Sequence, residues 1–251
     1  SIYLLQLNGI INPITSQYVV KGIEDAEAER AECLILQLDT PGGLDTSMRD
    51  IIKKMLNSTI PIIVYIYPSG GRAASAGVFI TLASNIAAMT PGTNIGAAHP
   101  VVMGGEEIDE EMKAKMENDA AAYIKTIAEK RGRNAQWAEK AVRESVSITE
   151  KEAIEIGVIE FIANDVKELI EIIDGVRVTT ASETRILNTK GAEIIPVKMT
   201  FKDLFLHSLT NPNIAYILLF LGIYGILGEF SHPGSFFPGI VGGISLILAF
   251  V

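Results

Sequence analysis

Residues 61–84 read PIIVYIYPSGGRAASAGVFITLAS and contain a strand, a turn and a helix around which the rest of the chain is organised. Residues 61–67 are all Ile, Val, Tyr or Pro, which predicts a buried β-strand. Glycine and proline at 68–71 predict a turn, and the small residues that follow predict a helix that begins near Ser75. Because the first N–H groups of a helix lack intrahelical partners, the Ser75 hydroxyl is expected beside unpaired donors. This position suits a nucleophile, although the local pattern alone is more often that of an ordinary helix-capping serine.

The rest of the N-terminal half alternates strands and helices. The sequence predicts strands at 2–7, 33–38 and 86–89, and helices at 15–30 and 45–56. This order implies a mostly parallel, right-handed sheet with helices packed against it. The strand at 33–38 is nearly continuous in Leu and Ile, as expected for a strand that is covered on both faces.

Composition excludes several classes of function. The chain has 30 acidic and 21 basic residues, and this net charge of −9 argues against a nucleic-acid partner. Its single cysteine, Cys33, cannot form an internal disulfide and lies in an apolar run. The three histidines, His99, His207 and His232, lack metal-ligand spacing, so neither a metal nor another cofactor is expected. The glycine turns match neither nucleotide-binding pattern, GxxxxGK[ST] or GxGxxG.

Two glycine turns, at 42–43 and 70–71, follow two successive strands. Sites in open parallel sheets form beyond the carboxyl ends of the strands, so Gly43 and Ser75 are expected to be neighbours. Glycines at 42 and 43 allow backbone N–H groups to approach a substrate carbonyl closely. Together with the N–H of Ala76, these backbone N–H groups predict an oxyanion hole. Gly42 is expected to line the cleft. An ordinary βα turn is the alternative interpretation.

Several motifs carry a resemblance to a known family. DTPGG at 39–43, GRAASAG at 71–77 and GAAHP at 96–100 together resemble the Clp-protease and crotonase superfamily. With residues 118–134, residues 152–163 and the hydrophobic tail, they are more closely similar to the long-form NfeD-type membrane-bound serine proteases encoded beside stomatin. The resemblance implies a Clp-like α/β fold, Ser75 as nucleophile, Gly43 and Ala76 as oxyanion donors, and a lysine as base. It also implies apolar peptide substrates, a stomatin-like membrane partner and a protease domain outside the cytoplasm.

Two lysines are candidates for the base. Residues 109–131 read as one helix, and Lys113 and Lys115 flank opposite edges of its apolar stripe. A lysine can act as a base when burial disfavours its charged form. The helical wheel does not separate the two lysines, whereas the family pattern points to Lys115. Asp119, four residues later, either orients the Lys115 ammonium or forms a surface ion pair.

His99 is the competing base. It lies 24 residues after Ser75, and a histidine needs no burial to accept a proton near neutral pH. The surrounding GAAHPV segment is similar to one in the lysine-using family, and no acidic partner can be assigned from the sequence. A polar residue that lines the cleft explains His99 equally well.

The segment between residues 98 and 109 is rich in Gly, Val and Met. Its apolar residues Val101, Val102 and Met103 predict a lip that binds an extended apolar peptide as an added strand. Ordinary loop packing is the alternative.

The tail has a different character. Residues 214–227 and 235–251 are apolar stretches near the lower end of the ~17–25 residues that cross a bilayer, which predicts a multi-pass membrane hairpin. We expect the second stretch to be cut short by the end of the chain, and the first strand to begin as in a processed protein without a signal peptide. The expected domains are a protease domain at 1–175, a small β appendix of antiparallel strands at 176–205 and a transmembrane region at 206–251. We also expect a homodimer or higher homo-oligomer.

The sequence therefore predicts a membrane-anchored serine endopeptidase that cleaves apolar segments through a Ser75–Lys115 dyad. One alternative is a crotonase-type acyl-CoA enzyme, which needs basic residues for the nucleotide phosphates; only Arg72 lies near the motifs. The other is a non-catalytic membrane scaffold, which predicts no covalent adduct at Ser75.

Overall fold

A computed structural model describes residues 1–101, 109–209, 212–231 and 236–250. These residues form two compact units, Ser1–Lys198 and Met199–Val251.

The first unit alternates strands and helices through most of its length. Its strands are β1 (Ile2–Asn8), β2 (Cys33–Asp39), β3 (Ile62–Ile66), β4 (Arg72–Ala74), β5 (Ile86–Met89), β6 (Asn94–Gly96), β7 (Ser147–Thr149), β8 (Phe161–Ile162), β9 (Arg177–Thr179), β10 (Thr184–Ile186) and β11 (Ile194–Val197). Its helices are α1 (Pro13–Ala28), α2 (Asp45–Leu56), α3 (Ala76–Ala83), α4 (Glu110–Lys130), α5 (Ala135–Arg143), α6 (Glu150–Glu155) and α7 (Val166–Ile172).

A six-stranded sheet forms the centre of this unit, in the order β11-β1-β2-β3-β5-β8, with every neighbouring pair parallel. The predicted parallel α/β sheet is confirmed. All five residues of β3 are buried, because helices and loops cover both faces of the sheet. On one face the strands pack with α7 around Ile35, Ile63 and Leu169.

A smaller sheet arranges the chain around residue 75. Strand β4 pairs with β6 in parallel, and β6 pairs with β7 in antiparallel orientation. The sequence predicted a helix that begins near Ser75, and α3 does begin at Ala76, but the short strand at residues 72–74 was not predicted. The cause is tertiary: Thr40 N–H donates to Arg72 O at 2.8 Å, and Ala74 N–H donates to Thr40 O at 3.0 Å. These bonds extend the chain up to Ser75.

The predicted β appendix is only partly correct. Strands β9 and β10 form a separate antiparallel pair, as expected. The third segment, β11, was expected to be antiparallel too, and this was wrong: it is the edge strand of the main sheet and runs parallel to β1. Pro196 explains why an edge suits this segment, since proline cannot donate a backbone hydrogen bond to a further strand. The first compact unit consequently extends to Lys198.

The second unit consists of α8 (Phe201–Leu209), α9 (Pro212–Ser231) and α10 (Phe237–Ala249). Helices α9 and α10 pack through glycines: a Cβ at Gly225 would lie 2.8 Å from the Cα of Gly242. Within the part of the chain that the structure describes, one helix, Asn213–Ser231, is long and apolar enough to cross a membrane, with a mean hydropathy of 1.8. Helix α10 is apolar but shorter. The predicted C-terminal pair of apolar helices is confirmed.

A buried ion pair holds the carboxyl end of α3, the helix that follows Ser75. The Arg133 side chain is 1% exposed and forms a fork with Glu160, with Nη2–Oε2 at 2.6 Å and Nε–Oε1 at 2.8 Å. Its Nη1 also donates to Leu82 O and Ser84 O at 2.7 and 2.9 Å. Glu160 Oε2 in turn accepts the N–H of Ala87 in β5 at 2.7 Å. This fork therefore ties α3 to the sheet.

We predict that Arg133→Met destabilises the first unit by about 2–3 kcal/mol, because it leaves the Glu160 carboxylate and the last carbonyls of α3 without their cation. The value lies below the roughly 3–5 kcal/mol expected for a fully buried pair because the Glu160 side chain is 36% exposed. Trp137, the only tryptophan in the chain, is 6% exposed, so its fluorescence during urea unfolding of the full chain in detergent reports the loss. Arg143→Met removes a surface guanidinium from its ion pairs and is the control. Equal unfolding midpoints for the two variants would contradict the assignment.

Candidate active site

Ser75 occupies a strained turn between β4 and α3. Its φ is 51° and its ψ is −117°, a conformation that costs a non-glycine residue on the order of 1–3 kcal/mol. The surrounding backbone holds it, since Ser75 N–H donates to Ala97 O at 3.1 Å and Ser75 O accepts the N–H of Val78 at 3.0 Å. Although Ser75 precedes α3, its hydroxyl makes no capping bond. The interpretation as a helix-capping serine therefore finds no support.

The first glycine turn lies directly against Ser75. Gly42 has a φ of +114°, and a Cβ at this position would lie 2.4 Å from Ser75 Cβ and 2.9 Å from Ser75 Oγ. Gly43 packs against the backbone of Ile11, which follows β1 in the chain. A Cβ at residue 43 would lie 2.0 Å from Ile11 O. Two hydrogen bonds fix this approach: Ile11 N–H donates to Gly42 O at 2.8 Å, and Leu44 N–H donates to Ile11 O at 2.9 Å. The two glycines can be replaced only if the backbone moves.

Two backbone donors are left beside the Ser75 hydroxyl. Among the residues that the structure describes, no acceptor is found for the N–H of Gly43 or for that of Ala76. Ala76 is the first residue of α3, so its N–H belongs to the group that a helix leaves unpaired. Both donors border the same cavity as Ser75, which is the arrangement that an oxyanion hole requires.

The cavity beside Ser75 has a volume of about 400 Å³ and a mainly apolar wall. The apolar side chains come from α2 and the loop before it, from α3, from α4 and from the segment after β6: Leu44, Met48, Ala76, Phe79, Ala98, Pro100, Val101, Met116 and Ala120. A more open groove of about 760 Å³ lies between α1 and α2, and its lining residues other than Val20 are of charged or polar types. That groove contains none of the predicted site residues, so the smaller cavity is the candidate site.

Both candidate lysines lie on α4 and are ion-paired away from the cavity. Lys115 Nζ lies 2.7 Å from Glu111 Oε1, and its side chain is 66% exposed. Lys113 Nζ lies 2.9 Å from Glu110 Oε1 and is 56% exposed. Neither side chain lines the cavity, whereas that of Met116, the next residue, does. The structure thus brings the helix of the predicted base to the site, with the Lys115 ammonium held outside by Glu111.

Asp119, considered above as a partner for Lys115, pairs with Arg49 of α2. Arg49 Nε also binds Asp45 Oδ2 at 2.8 Å, and its guanidinium carbon lies 4.3 Å from the centroid of the Tyr123 ring. Burial alone would lower the pKa of Arg49, but the hydrogen bonds and charges of Asp45 and Asp119 outweigh it and raise the pKa. The site wall therefore contains a paired, permanently charged cation.

Arg49 also connects three helices at the site. Tyr123, which it covers, stacks on Phe79 of α3 with ring centroids 6.0 Å apart. The guanidinium is thus in contact with α4 and, through the two rings, coupled to the helix that follows Ser75. Sequence reasoning missed this cluster, because no local pattern links residues 49 and 119.

His99 is oriented away from the cavity. Its Nδ1 lies 3.0 Å from Val142 O of α5, and the cavity wall includes its neighbours Ala98 and Pro100 but not His99 itself. The bond to a backbone carbonyl accounts for this polar side chain without a catalytic role.

The predicted lip falls only partly within the described residues. Val101 lines the cavity and is 76% exposed. Val102, Met103 and the glycines at 104–105 lie outside the described residues. In the described ranges no cluster of His, Cys, Asp and Glu is arranged to hold a metal ion.

Comparison with known families identifies both units. Residues 1–195 match the model of the NfeD1b N-terminal domain, and residues 213–251 match the NfeD integral membrane domain. The membrane-bound protease PH1510 of Pyrococcus horikoshii is 39% identical over the whole chain, and the membrane protein NfeD1b of Bacillus subtilis is 27% identical. The chain spans 57% and 55% of the length of these relatives.

Solved structures give the same result. The 1510-N membrane-bound stomatin-specific protease, solved as a lysine-to-alanine variant with a substrate peptide, is 36% identical with a TM-score of 0.77. The match covers 84% of this chain and 97% of that one. A serine-to-alanine variant of the same protease has a TM-score of 0.75 and matches 79% of this chain and 98% of its own. With a family model that matches residues 1–195, the chain belongs to the NfeD1b family of membrane proteins.

Proposed function

We propose that this chain is the protease-bearing part of a membrane-anchored serine endopeptidase. The observation that carries the proposal is the strained turn at Ser75, where a hydroxyl and two N–H groups that have no partner among the described residues stand beside an apolar cavity. A relative with 39% identity is named a membrane-bound protease. These features support peptide-bond hydrolysis rather than a scaffold, for which a strained serine has no use.

In the proposed reaction Ser75 Oγ attacks the scissile carbonyl carbon while a neutral Lys115 Nζ takes the hydroxyl proton. The carbonyl π pair moves onto oxygen, and the N–H groups of Gly43 and Ala76 stabilise the resulting oxyanion. Lys115 then gives the proton to the leaving amine as the C–N bond breaks. A water molecule attacks the acyl-enzyme by the same steps and releases the second product.

Lys115 is the better candidate for the base on two grounds. In the 1510-N protease the substituted serine and lysine are 41 positions apart, and Ser75 and Lys115 are 40 apart, whereas Lys113 is 38 away. Lys115 also directly precedes Met116, which lines the cavity. To act as a base, the Lys115 side chain must leave Glu111 and the solvent and enter the cavity. Burial there disfavours the charged form of its amine. We infer that the first turns of α4 rearrange when a substrate binds.

The proposed substrates are apolar peptide segments. Nine of the side chains that line the cavity are apolar, and Val101, with Val102 and Met103 after it, would flank a peptide held in extended form. The 1510-N protease is described as stomatin-specific and was solved with a substrate peptide. We therefore propose a stomatin-like membrane protein as the partner that supplies the peptide.

The acyl-CoA alternative is not favoured by the cavity. Its one cationic lining residue in the described part of the chain, Arg49, is paired with Asp45 and Asp119 and so is not available for phosphates. The mainly apolar lining instead suits the apolar side chains of a peptide.

For localisation we propose that α9 and α10 form a membrane hairpin, with the protease unit outside the cytoplasm and the chain assembled as a homodimer or higher homo-oligomer. The match to the NfeD integral membrane domain and the glycine-mediated packing of the two helices support the hairpin, whereas the side of the membrane is proposed from the family resemblance alone.

The dyad predicts a specific pattern of mutant activities. Ser75→Ala and Lys115→Ala should each lower the rate of cleavage of an apolar peptide by at least about 1000-fold, because nucleophile and base act as a unit. Lys113→Ala is the matched control and should stay within about threefold, as should His99→Ala. Cleavage is followed by mass spectrometry, and labelling of Ser75 by a fluorophosphonate should fall in Lys115→Ala. Full activity of Lys115→Ala with inactive His99→Ala would transfer the role to the histidine.

The cluster around Arg49 predicts that α4 loosens when the guanidinium is removed. Arg49→Gln should speed hydrogen exchange in residues 110–123 and lower kcat/KM roughly tenfold, because a base held about 1 Å from its position loses much of its effect. Arg49→Lys should recover little, since an ammonium makes neither the fork nor the stacked contact with Tyr123. Lys21→Gln, which removes an exposed ion pair within α1 and touches neither α4 nor the cavity, is the control. Unchanged exchange in Arg49→Gln would show that Arg49 does not anchor the helix.

Membrane sidedness can be measured with one engineered thiol. Cys33 is fully buried, and burial raises its pKa to about 12, so it should not react with a maleimide. In intact cells the exposed variant Lys53→Cys should react with a membrane-impermeant maleimide, while the wild type stays unlabelled. Labelling of Lys53→Cys only after the cells are lysed would place the protease unit in the cytoplasm.

A further inference from the structure

We propose that Thr40 is a positioning residue that holds both oxyanion donors in register with Ser75. This inference rests on the proposed protease function. It adds a residue that neither contacts the substrate nor takes part in proton transfer. Thr40 is fully buried at the carboxyl end of β2, between the two glycine turns.

The hydroxyl of Thr40 fixes the first donor loop. Thr40 Oγ1 accepts the N–H of Gly42 at 3.0 Å and donates to Gly42 O at 3.2 Å. Gly42 has a φ of +114°, and its orientation determines where the next N–H, that of Gly43, points. Without the hydroxyl, the buried Gly42 N–H would have no acceptor among the described residues, and the loop would lose the bond that sets this conformation.

The methyl group of Thr40 packs against Gly77, the residue that follows the second donor. A Cβ at Gly77 would lie 2.6 Å from Thr40 Cγ2, so the start of α3 rests directly on this methyl group. Gly77 follows Ala76, whose N–H is the second proposed donor. The Thr40 side chain therefore contacts both donor segments. Its hydroxyl binds Gly42, the residue before Gly43, and its methyl group packs on Gly77, the residue after Ala76.

The backbone of Thr40 adds a third connection, to the strand that leads into the nucleophile. Its N–H donates to Arg72 O at 2.8 Å, and its carbonyl accepts the N–H of Ala74 at 3.0 Å. Donor loop, nucleophile strand and nucleophile helix thus meet at one residue. Oxyanion donors act mainly on the transition state and need accurate placement, whereas the apolar cavity binds the ground state. An error at Thr40 should therefore appear in kcat and leave KM nearly unchanged.

Two variants separate the roles of the two side-chain groups. Thr40→Val keeps the methyl group and loses the hydroxyl, whereas Thr40→Ser keeps the hydroxyl and loses the methyl group. For the full chain in detergent with an apolar peptide, we expect Thr40→Val to lower kcat about 10- to 100-fold with KM within about twofold. Thr40→Ser should retain kcat within about fivefold. A peptide boronate, whose tetrahedral adduct occupies the oxyanion hole, should lose affinity for Thr40→Val in proportion to kcat/KM.

Thr189→Val is the matched control. Thr189 is also fully buried, and its hydroxyl donates one bond, to Ile170 O at 2.7 Å, at residues that do not line the cavity. It should lower the unfolding midpoint as Thr40→Val does and leave kcat unchanged. If Thr40→Val fails to fold, Thr40→Ala, which loses both groups, is compared with Thr40→Ser, and only the serine variant should keep kcat.

The inference is overturned if Thr40→Val keeps the kcat of Thr189→Val, or if Thr40→Ser loses as much kcat as the variant without a hydroxyl. Either result with Ser75→Ala inactive leaves the protease function intact and removes only the role of Thr40. If Ser75→Ala cleaves the peptide as fast as wild type, the proposed function itself fails.

Discussion

The contact between Gly42 and Ser75 is the constraint on which the rest of the site depends. A Cβ at residue 42 would lie 2.4 Å from Ser75 Cβ, so only glycine permits the proposed donor loop to approach the proposed nucleophile in this way. The approach is made possible by parallel strands that end at the same edge of the sheet, and it is held by Thr40 between them. The strain at Ser75 follows from the same packing, because the turn must present the hydroxyl to the donors while its own N–H is bound to Ala97 O.

The proposed nucleophile and oxyanion donors lie in turns that follow strands and at the start of α3, whereas the proposed base is on a helix whose first turns are exposed. Arg49 holds α4 through Asp119 and Tyr123, one turn and two turns after Lys115. The part of α4 before this anchor carries Lys115 with Glu111, outside the cavity. This division predicts an enzyme whose oxyanion hole is formed in advance and whose base arrives with the substrate, a form of activation by closure.

Much of this arrangement could be predicted from the sequence, because it follows from local patterns. Apolar runs gave the parallel sheet, and two glycine turns after successive strands placed Gly43 near Ser75. Tertiary pairings could not be predicted: the edge position of β11, the strand before Ser75 and the bond between His99 and Val142 O each join residues far apart in sequence. The helical spacing also made Asp119, four residues after Lys115, a candidate partner for that lysine. In the structure Lys115 pairs with Glu111, since a glutamate four residues before a lysine has the better helical geometry, and Arg49 takes Asp119.

The most direct test of the account is a crystal structure of the protein with a peptide boronate bound to Ser75. We predict a boronate oxygen within about 3.1 Å of both the Gly43 and the Ala76 nitrogen, and Lys115 Nζ within about 3.2 Å of Ser75 Oγ, no longer paired with Glu111. A complex in which Lys115 stays on Glu111 and the boronate oxygen contacts neither nitrogen would contradict the account.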